Sequence, residues 1–182
     1  MRLADRSGGF TMIELMVTLS ILGIVVALVA PSFNDSLART RLKSQASDVV
    51  NMLELTRSEA LKRNSVTTTI YSSDTGSAWK VDTEWTQPDN SKELRSTVNS
   101  SQVRMANPKV VGATIPTTAT SLVANFRGIF TGFVSTQGCK DGDSCMQLES
   151  SGGKYKLRVG INAVGQVTVC AVGDAFGGYP VC

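Results

Sequence analysis

Apolar positions are almost uninterrupted near the start of the chain. Residues 10–30 are 21 residues in which Glu14 is the only charged side chain. At about 1.5 Å per residue, a helix of that length measures roughly 32 Å, which matches the hydrocarbon core of a bilayer. A carboxylate inside such a segment costs roughly 2.5–3.5 kcal/mol on insertion scales. The pattern therefore predicts a membrane-spanning helix in which Glu14 has a specific function.

A helical repeat, rather than a loop, follows the apolar run. Pro31 predicts a kink where the two parts meet, because proline removes a helical hydrogen bond and clashes with the preceding turn. Residues 31–64 then show amphipathic periodicity. We therefore expect one helix with a membrane half over 10–30 and an amphipathic half over 31–64. Its predicted packing stripe consists of Leu42, Ala46, Val49, Leu53 and Ala60, with Val50 and Leu61 beside it.

The remainder of the chain, residues 65–182, alternates apolar and polar positions in short runs bounded by turn residues, which is typical of strands. Residues 86–100 are polar and are predicted to form a loop. Residues 162–165 suit a hairpin connection. The fold class is therefore α+β, with a long N-terminal helix packed on an antiparallel β-sheet domain. The predicted strands are 66–71, 78–83, 102–106, 110–115, 122–126, 130–134, 146–149, 154–161 and 166–171.

The chain has four cysteines, Cys139, Cys145, Cys170 and Cys182, and no histidine. No pair has a zinc-ligand spacing. An even count behind an export anchor favours disulfides in an oxidising compartment. Of the three possible pairings we prefer Cys139 with Cys145 and Cys170 with Cys182, because each closes a short loop. A tail rich in glycine is then expected to fold back and bring Cys182 to its partner.

The strand pattern around Cys170 predicts that its side chain lies outside the core. Successive side chains of a strand point to opposite faces. Cys170 shares a face with Gln166 and Thr168, whereas Val167 and Val169 face the other way. The apolar face is the one expected to meet the core.

Three cations form the main candidate binding row. Lys154, Lys156 and Arg158 alternate with apolar residues in a predicted strand, so they share one face. Three aligned cations suit nucleic-acid phosphates. A solvated strand face accounts for the same pattern and is the interpretation we favour, since the net charge is only +3. Nucleic acid is thus a possible partner that the sequence does not favour.

Metal, cofactor and catalytic signals are weak. Asp141 and Asp143 lie in an acidic loop between two cysteines, but they supply too few carboxylates for a calcium site. Without histidine, the chain lacks the commonest general base and the commonest metal ligand. No Gly-x-Ser-x-Gly elbow is present either. The sequence therefore predicts no metal, no cofactor and no enzymatic activity.

The residues before the apolar run are those of an unusual export signal. Arg2 and Arg6 precede the small pair Gly8 and Gly9, and the apolar run comes afterwards. An ordinary secretory signal is cut after its apolar region and loses it. A cut at these glycines would leave the apolar helix on the mature protein.

The junction resembles the type III signal of type IV pilins and type II secretion pseudopilins. The resemblance is carried by Gly9, Phe10, Thr11, Glu14 and Leu15. It implies that residues 1–9 are a leader, that a prepilin peptidase cuts between Gly9 and Phe10, and that Phe10 is N-methylated. It also implies that Glu14 serves filament assembly. We expect Glu14 to pair with the new Phe10 amine, since residues four apart share a helix face.

Two further segments resemble one branch of these proteins, the GspH/FimT/FimU group. The helix end carries Thr56, Arg57, Ser58, Glu59 and Ala60, and the last strand runs from Gly165 to Cys170. The resemblance implies a pilin fold and a minor pilin that initiates type IV pilus assembly at the tip, and so serves pilus biogenesis, twitching motility and adhesion. Implied partners are other minor pilins, the major pilin, the prepilin peptidase and the inner membrane.

Two alternatives share that fold. One is a GspH-type minor pseudopilin of the type II secretion system. The other is a DNA-binding competence minor pilin, a group that carries Gly-Arg-x-Arg on the last strand. Here Gly165 is followed by Gln166, Val167 and Thr168, so both arginines are missing. In each reading the protein begins as a single-pass inner-membrane protein with a periplasmic domain. As a pilus subunit it would then move to the extracellular tip.

Overall fold

A computed structural model describes most of the chain as two compact units, Met1–Leu37 and Ala38–Cys182. The described residues are 9–63, 65–72, 79–86, 92–100, 103–106 and 120–182. Residues 1–8 of the leader predicted over 1–9, and the strand predicted over 110–115, lie outside these ranges. The first unit is helical, and the second contains the rest of the helix together with all of the strands.

Helix α1 spans Met12–Arg63. Thr11 is its N-cap, because the Thr11 hydroxyl accepts a hydrogen bond from the Glu14 amide at 3.3 Å. Thr-x-x-Glu is the sequence pattern of a capping box, and this hydrogen bond is the half of that motif in which the hydroxyl accepts from the backbone. At the other end, Glu59 pairs with Lys62 at 3.1 Å and with Arg63 at 2.8 Å. The kink at Pro31 stays a prediction.

The first part of α1 is apolar and its side chains are exposed. Met12–Val29 is long and apolar enough to cross a membrane, and none of that window is buried within the protein. An apolar surface of this size on an isolated chain needs a lipid or protein environment. The membrane half over residues 10–30 stays a prediction.

The β domain consists of two antiparallel sheets. One sheet has the strand order β3-β2-β1-β5-β6, and the other has the order β4-β7-β8-β9. The strands are β1 Ser65–Ser72, β2 Trp79–Thr86, β3 Lys92–Ser100, β4 Val103–Ala106, β5 Thr120–Asn125, β6 Phe130–Gly132, β7 Met146–Ser150, β8 Lys156–Ile161 and β9 Val167–Ala171.

The predicted stripe of α1 is the face that the sheets cover. Leu42, Ala46, Val49, Leu53 and Ala60 are all completely buried. They belong to one core with apolar residues from both sheets. This confirms the α+β fold and the packing face. Of the two flanking residues, Val50 is partly buried against the core, whereas Leu61 is exposed.

Two predicted elements need correction. Residues 86–100 were expected to be a loop, but Lys92–Ser100 forms β3 and pairs with β2. Strand β3 lies at the edge of its sheet. Edge strands need no continuous apolar face, so the polar sequence of β3 did not predict a strand. The strand expected over 154–161 begins instead at Lys156. A turn precedes it, closed by a 2.7 Å hydrogen bond from the Gly153 amide to the Ser150 carbonyl.

Candidate functional site

The start of α1 places the predicted assembly residues at an exposed helix end. Phe10 is 84% exposed and precedes the helix, which begins at Met12. Glu14 lies in the first turn. The same-face rule for residues four apart applies within a helix, so it does not position Phe10 against Glu14 in this chain. No described cation forms an ion pair with the Glu14 carboxylate.

The predicted basic row is only partly formed, and its cations are paired. Lys156 and Arg158 alternate with buried strand residues as expected, but Lys154 lies in the preceding turn. Lys156 Nζ lies 3.4 Å from a carboxylate oxygen of Glu149. Arg158 Nη2 lies 2.7 Å from a carboxylate oxygen of Asp141. The Arg158 guanidinium also donates to the Gln147 side chain and to the Cys139 carbonyl, each at 3.1 Å.

Because Glu149 and Asp141 pair with two of the three cations, we expect no DNA binding through this row. Full-length protein in detergent, and the same protein with Lys154, Lys156 and Arg158 all changed to alanine, are expected to give the same gel shift at low salt. Phosphate contacts are strongest at low salt, so that condition favours detection. A protein with Lys62 changed to alanine is the control for an exposed cation elsewhere. Binding by the unmodified protein that the triple variant loses would contradict this expectation.

Two disulfides meet in one buried cluster on the outer face of β8 and β9. Cys139 is joined to Cys145, with Cα atoms 5.6 Å apart, and Cys170 is joined to Cys182, with Cα atoms 5.0 Å apart. Cys139, Cys145 and Cys170 are buried together, and Cys182 packs against them. The strand pattern was therefore wrong about Cys170, which is only 3% exposed. The Cys170 side chain does lie on the outer face of β9, as predicted, but the Cys139–Cys145 disulfide covers that face.

Gly160 makes the close approach of β8 to the disulfides possible. A Cβ built on Gly160 would overlap the Sγ atoms of both Cys139 and Cys145, and would lie 3.1 Å from Cβ of Ser135. Gly160 is paired with Thr168 across the β8–β9 ladder. A side chain at this position would therefore occupy the space that the first disulfide fills. No pattern in the sequence identified this requirement.

Asp143 organises the loop that carries the first disulfide. The buried carboxylate accepts hydrogen bonds from the Ser135 hydroxyl at 2.5 Å and from the amides of Thr136, Gln137 and Cys139 at 2.8–3.0 Å. Burial by itself raises the pKa of Asp143, but the Ser135 hydroxyl and these amides outweigh it and hold the pKa well below its ordinary value. The carboxylate is thus ionised and fully engaged by the protein.

The two acidic side chains of this loop, Asp141 and Asp143, both have partners within the protein. The Asp143 oxygens accept the hydrogen bonds of the loop, and the Asp141 carboxylate pairs with Arg158. In the described part of the chain, no three acidic, cysteine or histidine residues are grouped so as to hold a metal ion. Asp143 thus supports the loop structure, and Asp141 pairs with the basic row.

The C-terminal tail closes against β9 and reaches the helix. The Ala171 amide donates to the Pro180 carbonyl at 2.7 Å, and the Cys182 amide donates to the Ala171 carbonyl at 2.9 Å. The Phe176 ring lies 5.3 Å from that of Tyr155. The Arg39 guanidinium of the helix stacks on the Tyr155 ring, 4.5 Å from its centroid, and donates a hydrogen bond to the Tyr155 hydroxyl at 2.8 Å. The tail is therefore part of the folded domain.

The fold defines a class of protein. A long helix with an exposed apolar N-terminal part, whose later part is buried by antiparallel sheets, is the architecture of a pilin-like subunit. Residues 5–30 match the prokaryotic N-terminal methylation motif. Residues 45–177, more than two thirds of the chain, match the family described as type II transport protein GspH. The chain belongs to this family of structural pilins and pseudopilins.

Comparisons with curated proteins and with solved structures give no significant match. The methylation motif and the apolar helix are those of a pilin anchored in the inner membrane. Assembly with other pilin-like subunits and processing by a prepilin peptidase are properties of the family.

Proposed function

We propose that this protein is a minor pilin that helps to initiate a type IV pilus and stays at or near its tip. The observation that carries the proposal is the exposed apolar surface of Met12–Val29, with the Glu14 carboxylate in the first turn of the helix. Lipid covers such a surface before assembly, and the helices of neighbouring subunits cover it afterwards. The β domain then acts through its surface, without catalysis.

Processing between Gly9 and Phe10 fits the structure of the helix start. The N-cap residue is Thr11, so the capping hydrogen bond to the Glu14 amide survives removal of residues 1–9. The cut also creates a cation at Phe10, which becomes N-methylated. Because Phe10 lies outside the helix of its own chain, we assign the Glu14 carboxylate to the Phe10 amine of a neighbouring subunit.

The two disulfides support a periplasmic location for the β domain before assembly. Cys139–Cys145 and Cys170–Cys182 are both formed, and such bonds persist in oxidising compartments. The protein would thus wait in the inner membrane with its domain in the periplasm, and then move into an extracellular filament.

Substitution of Glu14 tests the proposal. Glu14→Ala and Glu14→Val are expected to lower the amount of protein in sheared filaments by about tenfold or more. Without the carboxylate, the Phe10 amine of the neighbouring subunit is an unpaired charge in apolar surroundings, which is costly. Every 1.4 kcal/mol of that cost lowers incorporation by a factor of about ten. The measurement is the ratio of filament protein to inner-membrane protein on immunoblots.

Thr18→Val is the matched control, because Thr18 is an exposed residue of the same apolar segment whose hydroxyl bonds only to the Leu15 carbonyl of its own helix. That variant is expected to be incorporated normally. Unchanged incorporation of the Glu14 variants at equal membrane levels would refute the assembly role.

The family match favours a second candidate, a minor pseudopilin of type II secretion, since the matching family is described as a type II transport protein. This candidate uses the same anchor, the same fold and the same Glu14. A deletion strain separates the two functions. Loss of twitching motility with normal secretion of folded exoproteins supports the pilus, whereas the reverse result supports the secretion system.

A further inference from the structure

Among the described strands, β9 ends the order β4-β7-β8-β9, so one of its edges is not covered by a strand of that sheet. The Asn162 amide donates to the Gln166 carbonyl at 3.0 Å. The Val172 amide donates to the Lys156 carbonyl at 3.1 Å. In an antiparallel ladder such bonds recur at every second residue. The even-numbered residues of β9 therefore bond to β8. The backbone groups that point to the open edge belong to Val167, Val169 and Ala171.

The chain's own tail already occupies one end of this edge. The outward amide and carbonyl of Ala171 bond to Pro180 and Cys182, and Ala171 forms a parallel bridge with Val181. Within the described part of the chain, no backbone group pairs with the outward amides and carbonyls of Val167 and Val169. The edge is therefore shown to accept an extended segment at one end and is open at the other.

The open end of the edge faces a groove of about 760 Å³ between α1 and β9, which we call the α1–β9 groove. Its volume is that of a ligand-sized cleft. An extended stretch of four residues is about 13 Å long. A stretch of this length fits a groove that runs along residues 165–169. The lining residues are Val50, Glu54, Arg57, Ser58 and Leu61 of α1, and Gly165, Gln166, Val167, Thr168 and Val169.

The chemistry of the groove suits a peptide rather than a polyanion. Leu61 is 56% exposed although it is apolar, and Val50 is only partly buried. Glu54 and Arg57 place one negative and one positive charge on the same wall. The Arg57 guanidinium is directed at the Gly165 carbonyl, to which it donates at 3.3 Å. The groove thus combines apolar contacts, balanced charge and free main-chain groups.

We propose that the α1–β9 groove binds an extended segment of another pilin-like subunit, which adds to β9 as a further strand. Main-chain hydrogen bonds at Val167 and Val169 hold the segment, and an apolar side chain of it packs on Val50 and Leu61. This inference rests on the proposed function. Subunits associated through their N-terminal helices have a high effective concentration of one domain at the other. A weak strand addition is sufficient under that condition.

The experiment uses the full chain in cells that assemble the filament. A photo-reactive phenylalanine analogue replaces Leu61, and in a parallel strain it replaces Val181. Val181 is the matched control, because it is 57% exposed but lies on the tail. We expect a cross-link from position 61 to another pilin-like subunit, mapped by mass spectrometry to a segment outside that subunit's N-terminal helix. Position 181 is expected to give at least fivefold less of this product.

Val169→Pro tests the main-chain bond. It removes an outward amide and leaves the β8–β9 hydrogen bonds in place, and proline is tolerated at such edge positions. We expect the yield of the cross-link from position 61 to fall about fivefold, because the loss of one hydrogen bond weakens binding by about this factor. Val50→Glu, which places a carboxylate in the apolar part of the groove, is the second variant, with Val181→Glu as its control. If Val169→Pro fails to form both disulfides, Val50→Glu decides the question.

A cross-link to a partner's N-terminal helix, to a second copy of this chain or to no pilin-like subunit would overturn the proposal, as would unchanged yields in both variants. The same cells report on the proposed function separately. If the unmodified chain is in filaments while these results are negative, only the groove assignment fails. If the unmodified chain is absent from filaments, the minor-pilin function fails as well.

Discussion

Replacing Gly160 with alanine is expected to lower the free energy of unfolding by about 3 kcal/mol, at the upper end of what overpacking of a core usually costs. The new Cβ would overlap both sulfur atoms of the Cys139–Cys145 disulfide. Those atoms are covalently joined and buried, so they cannot move aside as the end of a flexible side chain does. Either β8 must shift away from the disulfide or the disulfide loop must be displaced.

Gly152→Ala is the matched control. A Cβ at Gly152 has no atom within 4 Å, and its backbone is not in the left-handed region. We expect its free energy of unfolding to stay within about 0.5 kcal/mol of the unmodified protein. Denaturant unfolding of the full chain in detergent, monitored by tryptophan fluorescence, measures both values. Equal stabilities for the two alanine variants would show that the disulfide cluster has room for a side chain.

Replacing Asp143 with asparagine is also expected to cost about 3 kcal/mol at neutral pH. The amide group has the shape of the carboxylate, but its NH₂ would face hydrogen-bond donors. The Ser135 hydroxyl and the amides of Gln137 and Cys139 all donate to one oxygen of Asp143. In the variant, some of these buried donors lose their acceptor. The loop around Cys139–Cys145 is expected to loosen first.

The pH dependence provides a second readout. The hydrogen bonds lower the pKa of Asp143 in the folded protein relative to the unfolded chain. Asp143 therefore stabilises the fold above its unfolded pKa of about 4, and this contribution is lost as the pH falls below that value. The stability difference between the unmodified protein and Asp143→Asn should begin to shrink at about pH 5 and should go on shrinking as the pH falls toward the lowered pKa of the folded state.

Asp141→Ala is the control for a nearby carboxylate. The Asp141 side chain is 93% exposed and forms only a surface pair with Arg158, so we expect less than about 1 kcal/mol from its removal. A pH-independent difference for Asp143→Asn, or an effect of Asp141→Ala equal to it, would contradict the role assigned to Asp143.

The helix could be predicted well because its signals are local. A run of apolar residues, a Thr-x-x-Glu cap and a stripe at helical spacing each lie within a few turns of one another. The burial of Leu42, Ala46, Val49 and Leu53 follows directly from that stripe. The strands with an inward apolar face, such as β7 and β8, could be predicted for the same reason, since their alternation is visible within a few residues.

The elements that were misjudged depend on neighbours distant in the sequence. Strand β3 is polar because it lies at a sheet edge, and its position in the sheet is a property of the assembled fold. Cys170 is on the outer face of β9, as alternation predicts, yet it is buried because a loop some thirty residues earlier folds over it. Arg158 looked like a free cation, but Asp141 and Gln147 approach it only in the folded domain.

The sequence by itself determined the class of this protein: an apolar helix with one internal carboxylate, a leader that precedes it, and an amphipathic continuation that needs a β domain to cover it. These features follow from periodicity and composition, which act over short distances along the chain. Only the tertiary structure decided the rest. Two features depend on long-range packing: the space that Gly160 leaves for the disulfide, and the position of the β9 edge beside α1. Each is created by segments that are distant in the sequence and meet only in the folded domain.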